Sequence, residues 1–230
     1  MEDLGLIQKI AVWIVPVLFA ITVHEVAHGW MAKQLGDKTA MMLGRLTLNP
    51  IKHIDPVGTL LVPGVLLAFG GFIFGWAKPV PITWENLKQP KRDVALVSVA
   101  GPLSNLLMAI FWMLMIRLSL MMGTTTDSVS IFLVYIGVAG VIINTVLMIL
   151  NMLPIPPLDG GRVLGALLPG PLSWQLSRLE PYGLPILILL LATGMLGKII
   201  GPMVTFVVSL LIGFSGLSND GFQYIFYTLM

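Results

Sequence analysis

The chain is 230 residues long, 57% hydrophobic and 10% charged, with a formal net charge of +2 and a mean hydropathy of +0.93. Soluble domains carry about 25% charged residues, so this composition excludes a soluble globular protein and specifies an integral membrane one. The absence of cysteine excludes disulfides and thiolate ligands and leaves any metal to His, Asp or Glu. A charge of +2 is too small to point to nucleic acid.

Residues 1–9 carry Glu2 and Asp3 in place of a basic start, so no cleavable signal peptide is expected. A first helix is predicted over residues 5–33. Within it, fourteen uncharged residues, Ile10 to Val23, lead into the run His24-Glu25-Val26-Ala27-His28. Positions four apart share a helix face, so both imidazoles can reach one metal ion. Glu25 projects beside that face, where it can hold and deprotonate a water. This is the His-Glu-x-x-His arrangement of zinc peptidases. A buried, unpaired glutamate in a span costs ~2.5–3.5 kcal/mol or more, which argues against an accidental match.

After this helix, the Met41–Leu48 stretch, with Leu43, Leu46 and Leu48 near Gly44, is expected to form a short edge strand able to accept an extended peptide. The apolar run 56–77 is interrupted by Pro63-Gly64 and Gly70-Gly71, as expected of a re-entrant hairpin buried in protein. The flanking loops support that reading. Loop 33–55 carries Lys33, Lys38, Arg45 and Lys52, and loop 78–93 carries Lys78, Lys88, Lys91 and Arg92. A full crossing would set these charges on opposite sides, against the positive-inside bias; a re-entrant segment keeps both loops cytoplasmic.

Spans are predicted over 94–121 and 128–153, the second stopped by Pro154, Pro156 and Pro157. Asn105 and Asn144 read as interhelical hydrogen-bonding groups. Two further spans are expected over 181–197 and 199–226, the first of them short. No repeat, low-complexity tract or hydrophilic stretch long enough to fold alone is present, so residues 1–230 are expected to form one membrane-embedded domain. The expected fold class is an all-α polytopic membrane protein of about five to six transmembrane helices, with a re-entrant hairpin and short β-like segments after the first helix.

A catalytic zinc needs three protein ligands and an open position. Beyond His24 and His28, the candidates for the third are His53, Asp55, Asp93, Asp127 and Asp159, or a glutamate. His53 reads as an interfacial loop residue. Asp159 follows a proline-broken helix end and precedes Gly160-Gly161, whose freedom would let the backbone turn its carboxylate into a cavity. A re-entrant 56–77 also brings Asp159 to the cytoplasmic side with the histidines.

His-Glu-x-x-His in a first span, Gly101-Pro102-Leu103-Ser104-Asn105, and Asn-x-x-Pro-x-Pro-x-Leu-Asp-Gly-Gly at 151–161 together resemble the site-2 protease family of intramembrane zinc metalloproteases. The stretches 44–50 and 74–81 resemble its compact prokaryotic branch, and the resemblance covers residues 15–165. It implies one Zn2+ per chain held by His24, His28 and Asp159, with Glu25 as catalytic base and Asn151 as a hydrogen-bond donor to the substrate carbonyl. Gly44, Leu46 and Asn144 are carried as substrate-contact candidates. The aspartate follows Pro157-Leu158 rather than the Asn-Pro of the shorter family signature, and the chain has no room for the PDZ or CBS domains of some relatives.

The expected function is zinc-dependent hydrolysis of peptide bonds within or near transmembrane segments of other membrane proteins. The core is expected over residues 5–165, with additional C-terminal spans over 181–226. The expected setting is a prokaryotic inner membrane, with the site toward the cytoplasm. The competing class is a metal-binding membrane protein without proteolysis, a transporter or an inactive relative. A transporter favours polar residues spread through several spans, whereas here they concentrate at 24–28 and 144–159, and an inactive relative would lose the glutamate that stands here as Glu25.

Overall fold

The structure, a computed structural model, describes residues 5–61, 75, 77–122 and 128–229. The described residues are helical or irregular and form no strand. In chain order they build α1 (Leu6–Leu35), α2 (Thr39–Met42), α3 (Pro90–Met121), α4 (Ser128–Asn151), α5 (Asp159–Leu167), α6 (Gly170–Ser177), α7 (Glu180–Ala192), α8 (Met195–Ser215) and α9 (Asn219–Leu229). Short 3-10 turns cover Pro50–His53 and Trp84–Asn86, and Pro56–Leu61 is wound as a π-turn.

Four of these helices, α1, α3, α4 and α8, are long and apolar enough to cross a membrane. Among the described residues these account for four of the five to six spans expected, and the C-terminal runs are divided differently from the expectation. The charge-free run 181–197 yields only the 13-residue α7, closed by Gly194 at φ +71°. At 1.5 Å per residue such a helix is about 20 Å long, short of the ~30 Å hydrocarbon core. The run 199–226 is likewise divided, because Gly216 at φ +83° ends α8 before α9 begins.

The spans pack antiparallel in sequence order. His28 and His24 of α1 meet Val97 and Asn105 of α3, while Trp112 and Ile116 of α3 lie against Gly140 and Gly137 of α4. A methyl group on Gly140 would enter the Trp112 ring, so these two helices are as close as a missing side chain allows. The apolar core runs through this packing, from Val12 of α1 and Ile116 of α3 to Val138 and Val141 of α4 and Ile212 of α8. Large apolar side chains such as Phe19, Leu107, Leu114 and Phe206 face outward, as lipid requires.

The expected strand over Met41–Leu48 does not form. Asp37 accepts bonds from the amide and hydroxyl of Thr39 and so starts the helical turn α2. The next amides then bond backward, Leu43 to Thr39 O, Gly44 to Met41 O and Arg45 to Ala40 O, which leaves them none for a ladder. The chain reverses at Gly44, whose φ of +63° favours glycine.

The predicted hairpin at 56–77 lies largely outside the described residues. Its two ends are described, however, and they meet: Lys78 N donates to His53 O at 2.9 Å. Lys88 N likewise donates to Leu35 O at 3.2 Å, so α3 starts beside the end of α1.

Candidate metal centre

The site is assembled where the span α1 meets the short helix α5, at one end of the bundle. His24 and His28, one turn apart on α1, are both buried, and Asp159 at the first turn of α5 is buried against them. The Nε2 atoms of the two histidines lie 3.0 Å apart, and each lies 3.3 Å from Asp159 Oδ2. Among the described residues these three form the one group of His or carboxylate side chains able to hold a metal.

The hydrogen bonds behind the rings show which atoms face the centre. His28 Nδ1 lies 2.7 Å from Val97 O, and a carbonyl oxygen only accepts, so a proton sits on Nδ1 and, in the neutral ring, Nε2 carries a lone pair. Asp159 Oδ2 is buried and has no hydrogen-bond partner. The Nε2 lone pair of His28 and Oδ2 of Asp159 therefore converge with His24 Nε2 at 3.0–3.3 Å. Such a convergence costs free energy unless a cation sits at its centre. Ligands 2.0–2.1 Å from a tetrahedral zinc are about 3.3 Å from one another, which matches these edges. The residues fit the metal.

Glycines bring the elements close enough. A Cβ on Gly101 of α3 would enter both imidazoles, so the backbone of α3 lies directly on the rings. Gly160 and Gly161 act in a similar way and not as anticipated. Neither has a positive φ, so neither supplies an unusual turn. A Cβ on Gly160 would strike Met152 O and Leu153 O, and one on Gly161 would lie 2.5 Å from Pro156 N. Their bareness lets the first turn of α5 tuck under the broken end of α4.

Glu25 Oε2 accepts a hydrogen bond from Val80 N at 2.7 Å. Val80 belongs to the irregular stretch 77–82, which Arg45 Nη2 also grips at Lys78 O (3.0 Å) and Pro79 O (3.3 Å). A chain segment 55 positions away thus fixes one oxygen of this carboxylate and leaves the other open. Residue spacing gives no signal for this bond, because the donor is a main-chain amide.

The other candidates stand elsewhere. His53 is buried, and its Nε2 bonds Thr47 O at 2.9 Å. Asp55 and Asp93 accept main-chain amides beside them, Asp55 from Val57 and Gly58 and Asp93 from Gln89. Asp127 lies outside the described residues. Asn151 donates to Leu147 O of its own helix at 3.0 Å. Gly44 is exposed at its turn, and Leu46 packs with Val80 against Gly29, next to His28. Asn144, carried as a substrate contact, is fully buried behind the centre with its amide engaged by Gly140 O and Asn105. Groups already paired and sealed from solvent have nothing to offer a substrate.

No family model matches the chain, and no solved structure matches it. Curated relatives do. YwhC of Bacillus subtilis, named as a candidate zinc metalloprotease, is 36% identical over 196 residues, 83% of this chain and 84% of its own. Rip2 of Mycolicibacterium smegmatis, named in the same terms, is 32% identical over 182 residues, 79% of this chain and 66% of its own. A likeness of that extent to YwhC, joined to a centre that fits the metal in these names, means that the chain belongs to the site-2 protease family of zinc metalloproteases.

Proposed function

We propose that the protein is a zinc endopeptidase that cleaves peptide bonds within or near the transmembrane segments of other membrane proteins. The observation that carries this reading is the meeting of His24, His28 and Asp159 beside Glu25, inside a bundle of apolar helices. Bound zinc supplies Lewis acidity, drawing the pKa of water toward ~7 and polarising the scissile carbonyl. His28, with its proton held on Nδ1, and His24 would present Nε2 to the metal, and Asp159 would present Oδ2. Glu25, with Oε2 occupied by Val80 N–H, uses its free oxygen to take the proton of the attacking water. The water oxygen bonds to the carbonyl carbon, the C–N bond breaks, and Glu25 returns the proton to the leaving amine. Asn151 keeps a second amide hydrogen beyond its bond to Leu147 O, and in this reading it donates to the carbonyl oxygen.

The substrate is a membrane-protein segment, whose helix must unwind before any carbonyl is open to attack. The setting is a prokaryotic cell membrane with the site toward the cytoplasm. The charges of loops 33–55 and 78–93 support that side, as do the bonds that gather both loops at the Asp159 end of the bundle.

Glu25→Gln tests the reading directly. It removes the base and spares the three ligands, so cleavage of a membrane-protein substrate should vanish while zinc stays near one per chain. Substantial activity in this variant would show that Glu25 is not the base.

A further inference from the structure

We propose that Asn105 is a positioning residue that sets the proton of His24, and that Asn144 in turn orients Asn105. The two asparagines lie on α3 and α4, and both are fully buried. They form a chain of hydrogen bonds whose direction can be deduced from its ends. Asn144 donates from Nδ2 to Gly140 O at 2.9 Å, and a main-chain carbonyl can only accept. The other end of that amide is therefore Oδ1, and it faces Asn105 Nδ2 at 3.0 Å. Asn105 Nδ2 also lies 3.2 Å from Ala20 O of α1, a second group that can only accept. Two independent acceptors thus require nitrogen on that side of Asn105, which puts Oδ1 on the side of His24.

Asn105 Oδ1 lies 2.6 Å from His24 Nδ1. A carboxamide oxygen has no proton to give, so His24 must hold its own on Nδ1. In the neutral ring its Nε2 is then bare and lies 3.3 Å from Asp159 Oδ2. Two carbonyls, Gly140 O and Ala20 O, set the tautomer of a metal ligand through two intervening side chains. His28 reaches the same state by a shorter route, through Val97 O alone. The difference matters: a main-chain acceptor survives any side-chain substitution, whereas the acceptor of His24 is removed by a single one. His24 is the ligand whose readiness depends on a replaceable residue.

The test uses full-length protein in detergent, labelled with 15N histidine. The chain has three histidines, so the spectrum is small. In metal-free wild type, His24 should show the Nδ1–H form alone. Asn105→Ala should admit the Nε2–H form and weaken zinc, measured by competition with a chelator, by about 10–100-fold. Asn144→Ala should give a smaller loss, because Ala20 O still holds Asn105. Ser119→Ala, which removes a buried hydroxyl bonded to Met115 O on the same helix, should change neither reading.

Unchanged zinc affinity in Asn105→Ala would overturn the proposal. So would weakened zinc with His24 still wholly Nδ1–H, since Asn105 would then act by packing alone. Should Asn105→Ala not fold, Asn105→Asp carries the test, because it keeps an acceptor at His24 Nδ1. Retained zinc and the Nδ1–H form support the proposal, and loss of that form sinks it. The proposal rests on His24 being a zinc ligand, but the two can fail separately. Wild-type protein that binds no zinc would remove the ligand reading, while the tautomer of the metal-free chain tests Asn105 by itself.

Discussion

His24, His28 and Asp159 differ from His53 in a way that metal analysis can read. The first three converge on one point, whereas His53 spends its Nε2 on Thr47 O. Alanine at any of the three should lower zinc occupancy of the purified protein, and His53→Ala should leave it unchanged. Zinc lost from His53→Ala and kept by Asp159→Ala would overturn this ligand set. The His-Glu-x-x-His spacing made two ligands legible, because a helix fixes which positions share a face. The third was one of several candidates until a resemblance chose it, since nothing local to Asp159 says which distant helix it will meet. A second carboxylate, Asp37, works differently. It is fully buried and takes hydrogen bonds from Thr39 N and Oγ1, Thr83 N and Asn86 Nδ2. Burial pushes its carboxyl up, but these bonds outweigh burial and hold it below the ordinary 3.8. A lowered folded-state value means that the ionised form is the stabilising one. Its contribution is therefore complete above the unfolded value near 3.8 and is lost as pH falls through the lower folded value. Asp37→Ala, which leaves those donors bare, should cost about 1–3 kcal/mol at neutral pH. Its thermal unfolding temperature should also fall less than that of wild type as the pH is taken below 4.

Among the elements, α7 has a role that its composition concealed. The run that contains it reads as a short span, yet it yields 13 residues that brace the turn carrying the third ligand. A Cβ on Gly183 would collide with Pro156 O and lie 2.5 Å from Pro157 Cδ, both main-chain-bound atoms with little freedom to yield. Gly183→Ala should therefore push the 156–157 turn, and Asp159 with it, out of register with the histidines. The expected cost is about 1–3 kcal/mol of stability together with weaker zinc binding. Normal zinc affinity in a folded Gly183→Ala protein would remove α7 from the site. The three long inner spans were legible because apolar length is a strong signal. The strand at 41–48 was misread for a local reason: Asp37 and Thr39 start a helical turn just before it, and alternation of apolar residues does not register that.

For the molecule as a whole, the bonds from Lys78 N to His53 O and from Lys88 N to Leu35 O gather 33–55 and 78–93 at one end of the bundle. Both loops should therefore be reached from the same side. Cysteines at the exposed Lys38 and Lys88 stand on a background of none. A membrane-impermeant thiol reagent should modify both only after the cytoplasmic face is opened; labelling from opposite faces would make 56–77 a true crossing. The order of assembly follows from where the ligands fall along the chain. His24 and His28 enter the membrane with the first helix, but Asp159 comes only after α3 and α4 have been made and the chain has turned beyond Pro157. A growing chain therefore carries an incomplete site through most of its synthesis. The late position of one aspartate ties completion of the centre to closure of the fold.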